Sequence, residues 1–519
     1  MRHCAGYLCH HQSKNEQSTK NRPLSSRAGD FYKKRTIMTQ VSKCIISLLV
    51  KVLVIIAILH PSHADAQRRS TSVNINDNGK TTISIKNGFG NNFSIEYKGE
   101  IELSDDDSDI VSISRGGYME IKKTAFGSRR KIVMEPDGSG NLIKKYYVGG
   151  SQKNFDEEGK KWLSEILLEV VRTTTLGSEK RVDRMYRKGG YYPVLKEIDA
   201  IESDYVKTRY LKLLLEKRLD EKGLIGALKR VKAVNSDHHK AEILKHNARA
   251  FLTSDAVTSS YIQTTGSINS DHHKSEVLKR AIENREISDT QMNALFGIVD
   301  DINSDHHKAS VLSKVLSSRT LNAENTKLLI VTAKSINSDH HKATVLKKAL
   351  SGNDVSASSY NALLASMEDM SSDHHMASVL SDLLRENLTQ ESLVLLLDQV
   401  EQNMSSDSHQ AAILRKVAQE QDLKSALAPY LETLERVNSD HHKASVFKEL
   451  SRQSLSDKEL IAVLLATKEI SSDFHHAESL LAFAPQVRGA SDAVVDAYYE
   501  SSNSISSDSH MGRALRAIR

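Results

Sequence analysis

The pair Ser-Asp recurs down this chain at Ser203, Ser236, Ser270, Ser304, Ser338, Ser372, Ser406, Ser439, Ser472 and Ser507, at intervals of 33, 34, 34, 34, 34, 34, 33, 33 and 35 residues. A fixed period of this size is the signature of a solenoid, in which each unit buries its apolar face only against its neighbours. One period shows the unit. After Ser270-Asp271, "HHKSEVLKRAIENRE" has helical spacing, "ISD" is a turn, and "TQMNALFGIVDDI" is a second helix with Leu295, Ile298, Val299 and Ile302 on one face. From Ser236 onward the pattern is apolar, Asn/Ser, Ser, Asp, any, His, any, small, any, apolar, Leu or Phe; two late copies bend it, with Ser479 and Ala514 at the first of the closing apolar pair.

The serine fits an N-cap, whose oxygen accepts from a free amide of the first helical turn. The expected structural caps are Ser236, Ser270, Ser304, Ser338, Ser372, Ser406, Ser439, Ser472 and Ser507. The aspartate falls in the first turn, where negative charge suits the helix dipole. Small residues such as Ala309 allow close helix approach, and Leu312 faces the core.

Sixteen of the 22 histidines lie in these motifs. The residue two after the aspartate is histidine in nine successive copies: His239, His273, His307, His341, His375, His409, His442, His475 and His510. The residue directly after the aspartate varies, with Ser408, Phe474 and Ser509 replacing histidine. With serine as N-cap, the constant histidine takes the third helical position, where a capping box places Glu or Gln to bond back to the cap's amide. The expectation is that a neutral imidazole does that work. The alternative is a metal row: stacked repeats place equivalent helices about 8–10 Å apart, and imidazoles from adjacent repeats would bind Zn, Cu or Ni. Against it, adjacent histidines point to different sides of a helix, and no thiolate is available. Ser, His and Asp of one motif share a helical turn and do not form a triad. HExxH, GxSxG and phosphate-binding glycine loops are absent.

Residues 67–150 have a period of two, as in "TTISIK", "NFSIEYKGEIEL", "YMEIKK" and "RKIVME", with turn signals such as Pro136-Asp137-Gly138. This predicts an antiparallel meander with one buried face. The cluster Asp105-Asp106-Asp107-Ser108-Asp109 has Ile110 where a calcium loop needs glycine and Gly116 where it needs glutamate, so a solvated turn is expected.

The first 66 residues read as a leader. Met38 is the expected start, residues 44–59 are apolar apart from Ser47 and Lys51, and Ala64 and Ala66 precede Gln67. This is the form of a cleaved signal peptide, with an N-terminal membrane anchor as the alternative. Either way the remainder is exported, to the periplasm or cell surface. Cys4, Cys9 and Cys44 all lie in the leader, which leaves the exported part without disulfides. The formal charge of +5 also belongs to the leader: beyond residue 66 there are 61 Lys+Arg against 63 Asp+Glu, a net −2. That balance speaks against a nucleic-acid partner.

The segments "GEIELSDDDSDIVSISRGGYMEIKK", "KWLSEILLEVVR" and "ESDYVKTRYLKLLL", followed by the repeated Ser-Asp units, resemble a group of uncharacterised exported bacterial proteins. They are also similar to the extracytoplasmic tail of some membrane metallopeptidases of the β-lactam-sensor type; the peptidase domain and its zinc motif are absent here. The resemblance spans about residues 95–519 and implies a HEAT-like or TPR-like α-solenoid behind a small β module.

The expected class is therefore α+β, with a leader (1–66), a β meander (67–150), connecting helices (151–190) and an α-solenoid (191–519). The expected function is a non-enzymatic scaffold that presents the solenoid to a protein partner, without an obligatory cofactor. The alternatives are a metal-binding or metal-sensing protein using the histidine row, and a hydrolase with an unrecognised site.

Overall fold

The alternating segments form a seven-stranded antiparallel sheet in the computed structural model, which describes residues 70–75, 80–87, 91–284, 287–351 and 355–519. The expected leader and its apolar stretch lie outside the described residues. Among the described residues, no helix is long and apolar enough to cross a membrane.

The strands are β1 (Ser70–Ile75), β2 (Lys80–Asn87), β3 (Asn91–Lys98), β4 (Ile101–Leu103), β5 (Ile110–Ile113), β6 (Tyr118–Ala125), β7 (Ser128–Pro136), β8 (Leu142–Val148) and β9 (Ser151–Lys153). The main sheet runs β1-β2-β3-β6-β7-β8-β9, and β4 and β5 form a separate two-stranded sheet. Period-two alternation puts one residue in two on the buried face. Across β2, β3, β6 and β7 the register aligns Ile83 with Ile95, Ile95 with Ile121 and Ile121 with Ile132, and all four are buried. "NFSIEYKGEIEL" reads as one strand, but the chain turns at Gly99, whose φ of 88° is open to glycine. The same segment is thereby divided between two sheets.

The chain separates into two units, one taking in residues up to Glu100 and Val111–Lys160, the other Ile101–Ile110 and Lys161–Arg519. In the second, ten helices begin at the aspartates of the Ser-Asp pairs, from Asp204–Leu215 to Asp508–Arg516. Between them run nine return helices, from Glu221–Lys232 to Asp492–Ser502. Each motif helix packs on the motif helices before and after it, and the return helices pack on one another in the same way. This two-layer stack is the α-solenoid that the period predicts. Its core is built from repeat-equivalent positions such as Val311, Leu312 and Val315, then Val345, Leu346 and Ala349, all fully buried. Burying a Val or Leu contributes roughly 1.5–3 kcal/mol each, so stability rises with every stacked interface and no single repeat stands alone.

Candidate functional site

The residues of the Ser-Asp motif meet along one edge of the stack, where each repeat joins the next. Ser203, Ser236, Ser338, Ser372, Ser406, Ser439, Ser472 and Ser507 are in the extended region before their helices, as is Ser304 (φ −76°, ψ 112°). The Oγ of Ser236, Ser270, Ser304, Ser372, Ser439 and Ser472 accepts from the amide of the histidine three residues on, at 3.4–3.5 Å. These are long bonds, and Ser338, Ser406 and Ser507 make no cap bond of this kind.

The short bonds at the joint come from the aspartates. The carboxylate of Asp271 accepts the amide of Ser304 at 2.8 Å. Asp305 accepts those of Asn337 and Ser338 at 3.1 and 2.8 Å, and Asp373 those of Ser405 and Ser406 at 3.1 and 2.7 Å. The same arrangement holds from Asp204 to Asp473, so each aspartate binds the entry to the following helix. A carboxylate accepting backbone amides is a charge-assisted bond, about twice as strong as a neutral one.

This geometry removes the back-bonding expected of the histidines. The amide that a capping-box imidazole would need is already donated to the preceding aspartate. The constant histidines are instead half-buried. Nδ1 of His409 contacts Ser406 Oγ at 3.1 Å, and Nδ1 of His307 contacts Ser275 Oγ of the previous repeat at 3.4 Å. The carboxylate that could orient a Ser406–His409 pair, Asp407, is engaged by the amides of Asn438 and Ser439.

The two histidines of a motif also do not diverge as helical spacing suggests. The first is exposed, the second half-buried, and both enter one zigzag row. Ring centroids within a repeat are 5.5 Å apart at His238–His239 and 5.2 Å at His272–His273. Between repeats, His238 lies 5.6 Å from His273 and His272 5.5 Å from His307. The row continues through His306, His341, His340, His375 and His374 to His409. Tyr205 stands before it, 6.4 Å from His239. Axes of packed helices are about 8–10 Å apart, too far for equivalent rings to touch. A second ring per repeat fills that gap. Where Ser408 replaces it, ring contact stops at His409 and resumes with His442, His441 and His475. From there Phe474 carries the row to His510. His239, His273, His307, His341, His375 and His409 thus share one run, and His442, His475 and His510 another.

The position after the constant histidine, which the sequence pattern leaves open, is buried throughout Lys240, Lys274, Lys308, Lys342, Met376, Gln410, Lys443 and His476. Lys240 Nζ reaches the carbonyl of Ser267 at 2.9 Å, and Lys308 Nζ reaches Ser335 Oγ at 2.7 Å. Their stems line the core while the ammonium meets the end of the return helix. In the next-to-last repeat His476 takes this place, with Nε2 2.8 Å from Ser501 Oγ and 3.3 Å from Thr467 Oγ1. Burial lowers its pKa to about 4. Burial, followed by neighbouring histidines, also lowers those of His273 and His307.

The acidic cluster differs from the solvated turn expected of it. Asp106 closes the turn on Ser104 and Ser108. Asp107 takes a left-handed φ of 62° and pairs with Arg181 Nε at 2.8 Å and with Arg184. Arg181, 1% exposed, also bonds Glu197 and Tyr210, and Arg172 grips Glu197 with two nitrogens. A guanidinium this buried is stable only with its donors satisfied, which is what drew Asp107 inward. The spacing of acidic residues carries no sign of a distant arginine.

No protein-family model and no curated protein matches the chain.

Proposed function

We propose that this chain is a non-enzymatic exported scaffold that binds a protein partner along its imidazole-lined edge. The observation that carries the reading is the unbroken row of rings from Tyr205 to His409, with the exposed ring of each repeat packed on the half-buried ring of the next. A neutral imidazole presents an apolar face, one donor and one acceptor. Repetition at about 10 Å matches about three residues of an extended segment at ~3.3 Å each. A partner segment laid along the row would thus span about three residues from one pair of rings to the next. Such a surface suits recognition of a backbone over many repeats better than chemistry at one point.

The leader and the likeness to extracytoplasmic sensor tails support a place in the periplasm or at the cell surface, with residues 44–59 either removed or acting as a tether. In this reading the β module is a second binding element or an N-terminal addition to the scaffold.

The test is capture from a cell-envelope extract with the wild-type chain and with a variant carrying His272→Ala, His306→Ala and His340→Ala. All three side chains are exposed, so the variant should melt as wild type does. Loss of the captured partner supports the reading. An unchanged set of captured proteins overturns it.

A further inference from the structure

One joint in the row differs from the others. In the repeat that starts at Asp237 the motif reads His238-His239-Lys240-Ala241-Glu242, and the ligand atoms of His238, His239 and Glu242 all lie within 4.8 Å of one another. Among the described residues no other histidine, cysteine or carboxylate group of three converges in this way. Glu242 Oε2 is 3.6 Å from His239 Nδ1. That nitrogen is buried and has no hydrogen-bond partner. The same holds for Nδ1 of His273, whose ring lies 5.6 Å from that of His238.

We propose that His238, His239 and Glu242 form a site for a divalent transition cation, with zinc the best fit. Two imidazoles and a carboxylate suit zinc, nickel or copper and not calcium or magnesium, which take oxygen donors. Bonds of 2.0–2.1 Å in a tetrahedral shell place ligand atoms about 3.4 Å apart. The His239–Glu242 pair is already near that separation. His238 is exposed, and turning its ring away from His273 would close the remaining distance. Glu242 also accepts a hydrogen bond from Lys212 Nζ through Oε1, while its Oε2 faces His239. The ammonium and a cation bound at this joint would therefore compete for the charge of one carboxylate.

The rest of the row lacks this combination. The residue equivalent to Glu242 is Ser310, Thr344, Ser378, Ala412, Ser445 or Arg513 in six of the other repeats. Glu276 keeps the same spacing behind His272 and His273, but among the described residues the ligand atoms converge only at His238, His239 and Glu242. Glu478 is held by Arg513 at 2.7 Å, in a repeat where Phe474 replaces the first histidine. The metal reading of the whole row therefore contracts to a single joint.

The experiment is zinc titration of the full chain, stripped with a chelator, against a chromophoric zinc chelator. Wild type should bind one zinc at least tenfold more tightly than any further zinc. His239→Gln should abolish that step and Glu242→Gln should weaken it at least tenfold. His442→Gln, an equivalent ring in the second run, should leave it within twofold. Lys212→Met should tighten it, because the competing ammonium is gone. Far-ultraviolet circular dichroism confirms that each variant is folded; if His239→Gln unfolds, the Glu242 and Lys212 variants decide. Absence of a tight first step, an unchanged affinity in Glu242→Gln, weaker binding in Lys212→Met, or an equal loss in His442→Gln overturns the proposal. The last of these results would mark diffuse binding along the row.

Discussion

Oδ2 of Asp271 lies 2.8 Å from the backbone nitrogen of Ser304, 33 residues further along the chain. The serine's own cap bond, to the amide of His307, is 3.5 Å. The joint between these repeats is thus held chiefly by a carboxylate from the helix before it, and the two residues should not respond alike to substitution. Asp271→Ala leaves a half-buried amide without its charged acceptor and should cost roughly 1.5–3 kcal/mol. Ser304→Ala should cost about 0.5 kcal/mol, the low end for a lost cap. Urea unfolding of the two variants tests this. A larger loss from Ser304→Ala would reverse the order of the two bonds.

The buried lysine position should accept an apolar chain of similar length. Lys342 is 1% exposed, and its equivalent in the next repeat is Met376. Lys342→Met keeps the stem volume and should change stability by less than about 1.5 kcal/mol. Lys342→Ala opens a cavity and should cost roughly 2–4 kcal/mol. Equal losses in thermal melts of both variants would mean that the ammonium's bond to Asp369, and not the stem, is what matters.

His476 makes the chain sensitive to acid. Its pKa falls from an ordinary value near 6.5 to about 4 because the ring is buried. The unfolded chain therefore binds the proton more readily than the folded one, and stability rises with pH. The stabilisation is fully present above about pH 6.5 and is lost as pH falls through about 4. His273 and His307, lowered in the same direction, add to the slope. Melting temperatures between pH 7.5 and 4 should fall less steeply for His476→Met than for wild type. Parallel curves would show that His476 stays neutral, or is equally charged, in both states.

The terminal helix Asp508–Arg516 has a motif helix on one side only, and Ala514 is its one buried residue. Its amides should exchange with solvent faster than those of Asp305–Ser318, which is flanked on both sides. Slower exchange in the terminal helix would contradict this.

The solenoid was legible because one pattern is written ten times. A helix boundary that is ambiguous in a single copy, such as Asp271 or Asp305, becomes plain when Ser-Asp marks it at every interval. The joint chemistry was not legible for an equally concrete reason. The partners of Asp271 and Asp305 are backbone amides one repeat away, and an amide has no residue letter. The position of Lys240 and Met376 reads as unconstrained because its occupants differ in polarity, although the eight from Lys240 to His476 share burial. The doubled histidine is visible in sequence, but its purpose depends on the spacing between helices. Only with that distance known does a second ring become the link between one repeat and the next. Glu242 is likewise visible beside its histidines, yet six repeats place a different residue there, and only geometry sets this copy apart.

The forward bond from each aspartate also makes the array divisible. From Asp204 to Asp473 each aspartate accepts the amide of the serine that opens the next motif, so the seam chemistry is alike from joint to joint. Removing residues 270–303 would bring Asn269 and Ser304 into sequence, and their amides would fall to Asp237, which already binds those of Asn269 and Ser270 at 3.0 and 2.8 Å. A chain shortened in this way closes its seam with the original chemistry. Removing half that length would strand a carboxylate and two amides at the cut. The molecule's length is therefore quantised in whole repeats, which gives a gene encoding it a simple route to longer and shorter versions by duplication or loss.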